Sequence, residues 1–364
     1  MTTIMLIFVT ALFFGSVGTP VAKNVAIKMG FIALPKADRA HTEPTALMGG
    51  LAIYAAAIGA LFIIIVITNF ILGNPFRLQE LLAIMMGASL MAAIGLWDDR
   101  RALPAWAKLG FQLLPATIVF AAGVRVNLPL FEIGSLNTVF NYIIATCWIL
   151  YITNAVNYLD NADGIAIMTA AVTSAIFLLI AVLNGQQLVS ILAAAILGSS
   201  LGFARYNLPL PRSTIFMGDS GSLFLGFLLA VLGIKVRIPA NDIQITWMVP
   251  IIVLGLPIFD TALVFISRTR RGISFFRGGV DHTTHRLARL GMDGLSVALA
   301  VSLISGALGL IAIFITQASL TEAYVVAATL VFVALFTLYR LEFKATYDFR
   351  TGRTLESETE QINS

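Results

Sequence analysis

The chain has 364 residues, 59% of them hydrophobic and only 12% charged, about half the charged share of ordinary soluble domains. This argues against a water-soluble fold, because the apolar residues come in uncharged runs longer than a soluble helix needs. The net charge of +4 is modest, and a single cysteine, Cys147, excludes a disulfide framework and a cysteine-based metal cluster.

A helix needs roughly 20 mostly apolar residues to cross the hydrocarbon core. Ten stretches without Asp, Glu, Lys or Arg meet or approach that length: 1–22, 44–76, 81–97, 109–124, 133–159, 164–204, 220–234, 243–259, 295–321 and 323–339. The sixth is too long for one pass and is interrupted by the polar turn Asn184-Gly185-Gln186-Gln187, which predicts eleven crossings. The first stretch has no Lys or Arg before it and Lys23 after it, the reverse of a signal peptide, so a retained helix with its N-terminus outside is expected. In that orientation the inner loops and tail carry 19 of the 23 Lys and Arg residues, and the outer loops only Arg77, Arg125, Lys235 and Arg237. This is a positive-inside pattern, and it puts the C-terminus in the cytoplasm. The predicted fold is all-α: a polytopic membrane helix bundle forming one transmembrane domain over 1–340. A polar cytoplasmic tail over 341–364, ending in the acidic run Glu356 to Glu360, reads as disordered.

The polar residues gather on the inner connections. Charge at the rim of a membrane bundle is costly and usually functional, so a cytoplasmic-side site is expected. Asp98-Asp99 ends the third crossing, and Lys108 and Gln112, one turn apart at the start of the fourth, offer a cation and an amide to an anionic substrate. Asn154, Asn157, Asp160 and Asp163 are spaced by three, which at helical pitch predicts one slanting polar stripe. Gly218-Asp219-Ser220-Gly221, the third motif, opens the eighth helix at its cytoplasmic end, where glycines admit a ligand, Asp219 offers hard oxygen to Mg²⁺ and backbone amides favour anions. The same four letters occur around the nucleophile of trypsin-like proteases, but those need β-barrels and this segment begins a membrane helix.

The longest inner loop holds Arg268, Arg270, Arg271, Arg277, His282, His285 and Arg286. His-x-x-His lacks the further ligand that a zinc site requires. Arg268, Arg270 and Arg271 are assigned to anionic lipid headgroups, and His282, His285 and Arg286 to phosphate or sugar contacts.

In order, Asp98-Asp99, Asn-x-x-Asn-x-x-Asp-x-x-Asp-Gly, Gly-Asp-Ser-Gly-Ser and Asp-His-x-x-His-Arg-Leu resemble the polyprenyl-phosphate N-acetylhexosamine-1-phosphate transferases, over about residues 31 to 291. The resemblance implies transfer of a sugar 1-phosphate from a UDP-sugar to undecaprenyl phosphate, releasing UMP and starting a lipid-linked cell-envelope glycan in the bacterial plasma membrane. It implies Mg²⁺, with Mn²⁺ as an alternative, held by the positions matching Asp219 and Asn157. Asp98 and Asp99 match the family's essential pair, Lys108 a diphosphate contact, Asp163 the uracil-reading position, and His285 and Arg286 contacts to phosphate and sugar; from the polar clusters themselves, Asp160 is added as a catalytic candidate and Asn154 and His282 as substrate-binding candidates. Asp163 would read uracil through its N3 hydrogen, with Phe216 stacking on the ring. The remaining partners are membrane lipids; no nucleic acid is expected, and a homodimer is left open. The form of the second and fourth motifs favours the N-acetylglucosamine branch, with phospho-N-acetylmuramoyl-pentapeptide transfer as the alternative.

The first inner loop departs from the family pattern, with Ala33, Asp38 and Arg39 in place of Asp, Arg and Lys, although His41 and Gly49-Gly50 remain. A secondary transporter using Asp98, Asp160, Asp219 and Asp260 would need charges near the bilayer midplane and an inverted repeat, and only Asp260 is so placed.

Overall fold

The computed structural model describes residues 1–33, 44–67, 78–128, 131, 133–239, 241–276, 278–344, 347–348 and 353–354. Readings that concern Lys36, Asp38, Arg39, His41, Arg77, Arg277, Arg350 and the acidic run 356–360 fall outside those residues.

Among the described residues each uncharged stretch carries helix. The first half of the chain forms α1 (Thr2–Lys28), α2 (Gly49–Val66), α3 (Leu78–Arg100), α4 (Ala105–Ala121), α5 (Gly134–Leu159), α6 (Ile165–Leu183) and α7 (Gln187–Asn207). The second half forms α8 (Gly218–Lys235), α9 (Ile243–Thr246), α10 (Met248–Val253), α11 (Gly255–Arg270), α12 (Thr283–Arg289), α13 (Gly294–Ile315) and α14 (Leu320–Tyr339). Among the described residues nine helices are long and apolar enough to cross a membrane, and a tenth span is counted if the bent pair Ile243–Val253 and Gly255–Arg270 is one. The chain is a polytopic helical membrane protein.

The expected single crossing at 243–259 is corrected to that bent pair, whose halves meet at 69°. Pro250 and Pro257 each lack the N–H that an unbroken helix would use, and the bend falls at Leu254, between them. α4, at 17 residues, is a shorter apolar helix.

α8 is the axis of the bundle, with 83% of its spanning window buried, packed chiefly against α3 and α5. In lipid there is no water to expel from between helices, so close packing and hydrogen bonds hold them. A Cβ on Gly50 of α2 would fall 2.1 Å from the Gly221 amide nitrogen, and one on Gly95 of α3 would fall 2.3 Å from the Asp219 carbonyl oxygen. These glycines let α2 and α3 meet α8 backbone to backbone. Trp148 of α5 donates its indole N–H to the Ala230 carbonyl at 3.0 Å and fixes the third contact.

At the end of the bundle where α8 begins, β1 (Ile32–Ala33) pairs antiparallel with β2 (Thr45–Ala46), and Ala46 bridges in parallel to Ile215. The Gly49 and Gly50 amides donate to the Phe216 and Met217 carbonyls at 3.0 and 2.8 Å. The strand-like segment entering α8 is thus stitched to the segment entering α2. At the other end of the chain α14 continues into a π-helical turn, Arg340–Lys344, and β3 (Tyr347–Asp348) pairs with β4 (Arg353–Thr354).

Candidate active site

The C-terminal ends of α3 and α5 and the N-terminal ends of α4 and α8 deliver four polar side chains to one point. The Lys108 ammonium, from the first turn of α4, lies 2.8 Å from Asp98 Oδ2, contacts Asp219 Oδ2, and donates to Asn157 Oδ1 at 3.2 Å. Asn157 turns its amide N–H groups to Asp219 Oδ1 at 3.0 Å and to the Ser222 hydroxyl at 2.8 Å. The Asp98 and Lys108 side chains are each 13% exposed and Asp219 33%, so Asp219 is the member of the cluster most open to a ligand.

The paired aspartates are not equivalent. Asp98 faces Lys108 and also accepts from the Leu103 amide at 2.6 Å, which anchors it to the loop before α4. Asp99 faces the other way, accepting from the amides of Asp219 and Ser220 at 2.8 and 3.0 Å. These are unpaired donors of the first turn of α8, so Asp99 caps a helix other than its own. Gly218 is needed there: its φ is +70°, and a Cβ would lie 2.8 Å from both Asp99 oxygens.

The expected four-member stripe is corrected to a shorter one. α5 carries Asn154 and Asn157 but ends at Leu159, with Asp160 as its C-cap. The chain then turns through Gly164, whose φ is +79°, because Asp and Asn side chains compete for the backbone hydrogen bonds that would extend the helix. Asp163 lies within that turn and accepts from the Ser213 hydroxyl at 2.7 Å. Asn154 donates to Gln112 at 2.7 Å, so the second α4 residue of interest braces α5. Phe216 is not a helical turn ahead of Asp219 but sits in the extended bridge, its amide donating to the Ala46 carbonyl at 2.9 Å.

The histidine loop folds beside the end of α5. His282 Nδ1 is 2.8 Å from Asp260 Oδ2, the Thr283 amide donates to Asp260 Oδ1 at 2.6 Å, and the Thr284 hydroxyl donates to Asn161. Tyr158, next to Asn157 in sequence, packs against Phe275 and His282 with ring centroids 4.9 and 6.4 Å apart. His285 has a buried Nδ1 with no hydrogen-bond partner among the described residues. Burial pushes its imidazole down to about 4, with His282 and Arg289 adding to the effect.

Two arginine assignments change. Arg268, expected at the lipid surface, is 1% exposed and clasps Asp281 with two bonds of 2.9 and 2.8 Å, while Arg271 reaches the same carboxylate at 2.6 Å. Burial alone would raise the Asp281 carboxyl, but the hydrogen bonds and charge of Arg268, then Arg271, hold it well below the usual range. Arg286, expected at substrate, is 5% exposed, and its Nη2 lies 2.7 Å from Glu342 Oε2 at the start of the C-terminal segment. Glu342 also holds Arg270 at 2.8 Å.

Sequence reasoning missed Ser222, Asp260 as a histidine partner, and Glu342. Ser222 had a signal, since it follows Asp219 by three residues on the same helix face. Glu342 had none.

A metal can be held where the four side chains meet. Among the described residues no three His, Cys, Asp or Glu side chains form a metal cluster, but Asp219, Asp98 and the Asn157 carbonyl turn hard oxygens toward one point, now filled by the Lys108 ammonium. Two carboxylates plus waters and substrate phosphates suit Mg²⁺. Two carboxylates, Asp98 and Asp219, face one ammonium, which leaves charge for a dication to balance.

The sequence model of glycosyl transferase family 4 matches residues 81–237. A probable undecaprenyl-phosphate N-acetylglucosaminyl 1-phosphate transferase of Bacillus subtilis is 30% identical over 328 residues, 88% of this chain and 87% of that protein. The chain belongs to glycosyl transferase family 4. The family 4 match runs from α3 to the end of α8 and so takes in Asp98, Asp99, Lys108, Asn157 and Asp219, while the histidine loop lies beyond it. As a family 4 member the chain is a transferase. It is also similar to a decaprenyl-phosphate N-acetylglucosaminephosphotransferase of Mycobacterium tuberculosis, at 27% over 82% of this chain and 79% of that one. A phospho-N-acetylmuramoyl-pentapeptide-transferase of Levilactobacillus brevis is 29% identical over 61% of this chain and 69% of that one.

Proposed function

We propose that this enzyme transfers N-acetylglucosamine 1-phosphate from UDP-N-acetylglucosamine to undecaprenyl phosphate, with Mg²⁺, at the cytoplasmic face of a bacterial plasma membrane. In this reading the bundle crosses eleven times with its N-terminus outside. The observation that supports it most is the convergence of Asp98, Lys108, Asn157 and Asp219 at one end of the bundle. Joining two phosphate-bearing anions demands neutralisation and alignment more than covalent help. The N-acetylglucosamine substrate rests on the relatives whose similarity spans most of the chain.

A lipid phosphate oxygen attacks the sugar-bearing phosphorus of the donor, a new P–O bond forms, and the bridge to the uridine-bearing phosphate breaks to release UMP. When bound, Mg²⁺ supplies charge neutralisation at that phosphorus. Asp219 and Asn157 are placed to hold it, and Lys108, displaced from the carboxylates, turns its ammonium to the diphosphate. Asp98, pinned by Leu103, stays as the carboxylate facing the acceptor and takes its residual proton, since the lipid phosphate is largely ionised already. Asp99 works through α8 and touches no reactant. Asp163 accepts the uracil N3 hydrogen, and the histidine loop closes over the phosphates.

The test is purified protein with undecaprenyl phosphate, Mg²⁺ and either UDP-N-acetylglucosamine or UDP-N-acetylmuramoyl-pentapeptide, following UMP release and the lipid product. Turnover with the first, abolished by EDTA and restored by Mg²⁺, is expected. Turnover with the second alone would move the enzyme to peptidoglycan chemistry. Exchange of labelled UMP into the donor should require the lipid, because direct attack forms no sugar-phosphate on the enzyme.

A further inference from the structure

We propose that Asp260 is a positioning residue that fixes His282 as its Nδ1–H tautomer, so that a single defined nitrogen, Nε2, is presented to the donor phosphates. The last clause rests on the function proposed above.

Asp260 is fully buried, on α11. Its two oxygens are spent on the start of the histidine loop: Oδ2 on the His282 ring at 2.8 Å, Oδ1 on the Thr283 amide at 2.6 Å. A buried carboxylate is tolerated only when it is hydrogen-bonded, and an ionised one can only accept. The ring nitrogen facing it therefore carries hydrogen. That fixes which nitrogen points away, as the carboxylate of a serine-protease triad does for its histidine. The Thr283 bond stops the loop backbone from sliding, and Tyr158 and His285 limit rotation of the ring, with centroids at 6.4 and 5.7 Å. Tyr158, which packs on this ring, follows Asn157 on α5.

The neighbouring histidine is held differently. His285 has no carboxylate on its Nδ1 among the described residues, and burial keeps it neutral, with its imidazole down to about 4. The two histidines thus offer distinct chemistry, one backed by a buried acid and one uncharged acceptor.

The chain has three histidines, few enough for ¹⁵N-histidine NMR of the full-length protein in detergent, with the His282 signal assigned by its loss in His282→Gln. The wild type should show Nδ1–H. Asp260→Asn, which can turn its own N–H to the ring, should exchange that signal for Nε2–H. The same variant should raise the KM for the UDP-sugar by on the order of tenfold, the scale seen when the partner orienting a functional histidine is removed, and leave the KM for the lipid in place. Asp260→Glu should restore part of the loss, and the Asp260→Asn, His282→Gln double variant should be no worse than the worse single. An Nε2–H signal in the wild type overturns the proposal whether or not any variant folds. Nδ1–H with an unchanged donor KM in His282→Gln overturns the positioning role while leaving the transfer reaction, measured in the same assay, intact. Absence of transfer by the wild type overturns the function itself.

Discussion

Asp99 accepts hydrogen bonds from the backbone of Asp219 and of Ser220, at 2.8 and 3.0 Å, so one aspartate of the adjacent pair holds in place the helix that carries the other functional carboxylate. A side-chain cap is worth about 1 kcal/mol. Asp99→Ala should therefore lower the melting temperature in detergent and reduce kcat together, because Asp219 loses its fixed position. Gly218→Ala should reproduce both losses, having neither the left-handed backbone nor the space. An Asp99→Ala protein that melts like the wild type would remove the capping role.

Lys108 stands between Asp98 and Asp219 at the point where a dication would be held. Lys108→Met should lower turnover by on the order of a hundredfold, the scale for removing one charge-stabilising group from a polar site. It should also increase the upward shift in melting temperature on adding MgCl₂ without substrate, since a competing cation is gone. Asp219→Asn should remove that shift. A Mg²⁺ response unchanged in both variants would exclude the metal from this cluster.

Glu342 binds Arg286 and Arg270 from the start of the C-terminal segment, with its own side chain 2% exposed. Removing one partner of a buried pair costs roughly 3 kcal/mol. Glu342→Ala should destabilise the protein by that order in chemical or thermal unfolding, and Glu342→Gln by less. Truncation before 341 should match Glu342→Ala, and wild-type stability after truncation would show that the segment does not brace the loop.

His285 gives a pH dependence with a definite sign. Its folded pKa is lowered from 6.5 to about 4, so the unfolded chain takes up the proton first as pH falls. Its contribution to stability is complete above about 6.5 and is lost as pH drops toward 4. His285→Gln should flatten the fall in melting temperature across that window. A variant retaining the full slope would assign the slope to other groups.

How far the sequence reaches depends on the range of the interaction concerned. The helices were legible because the bilayer imposes a local requirement, a run of about 20 apolar residues, and among the described residues each uncharged stretch carries helix. The bend at Leu254 was missed because uncharged length does not register where prolines interrupt the ladder. The stripe was drawn too long, since a spacing of three marks a helical face only while the helix lasts.

The sequence by itself determined the membrane class, most of the long apolar helices and the placing of Asp98, Lys108, Asn157 and Asp219 at or near helix ends, all consequences of local composition and charge. Only the tertiary structure decided that Lys108 meets Asp219 across 111 residues, that Asp99 caps α8 across 120, and that Arg286 is claimed by Glu342 across 56. Those outcomes depend on which way each helix is rotated about its axis. In lipid that rotation is set by where glycines such as Gly50 and Gly95 let backbones touch, a property of helix pairs that no single run of sequence contains.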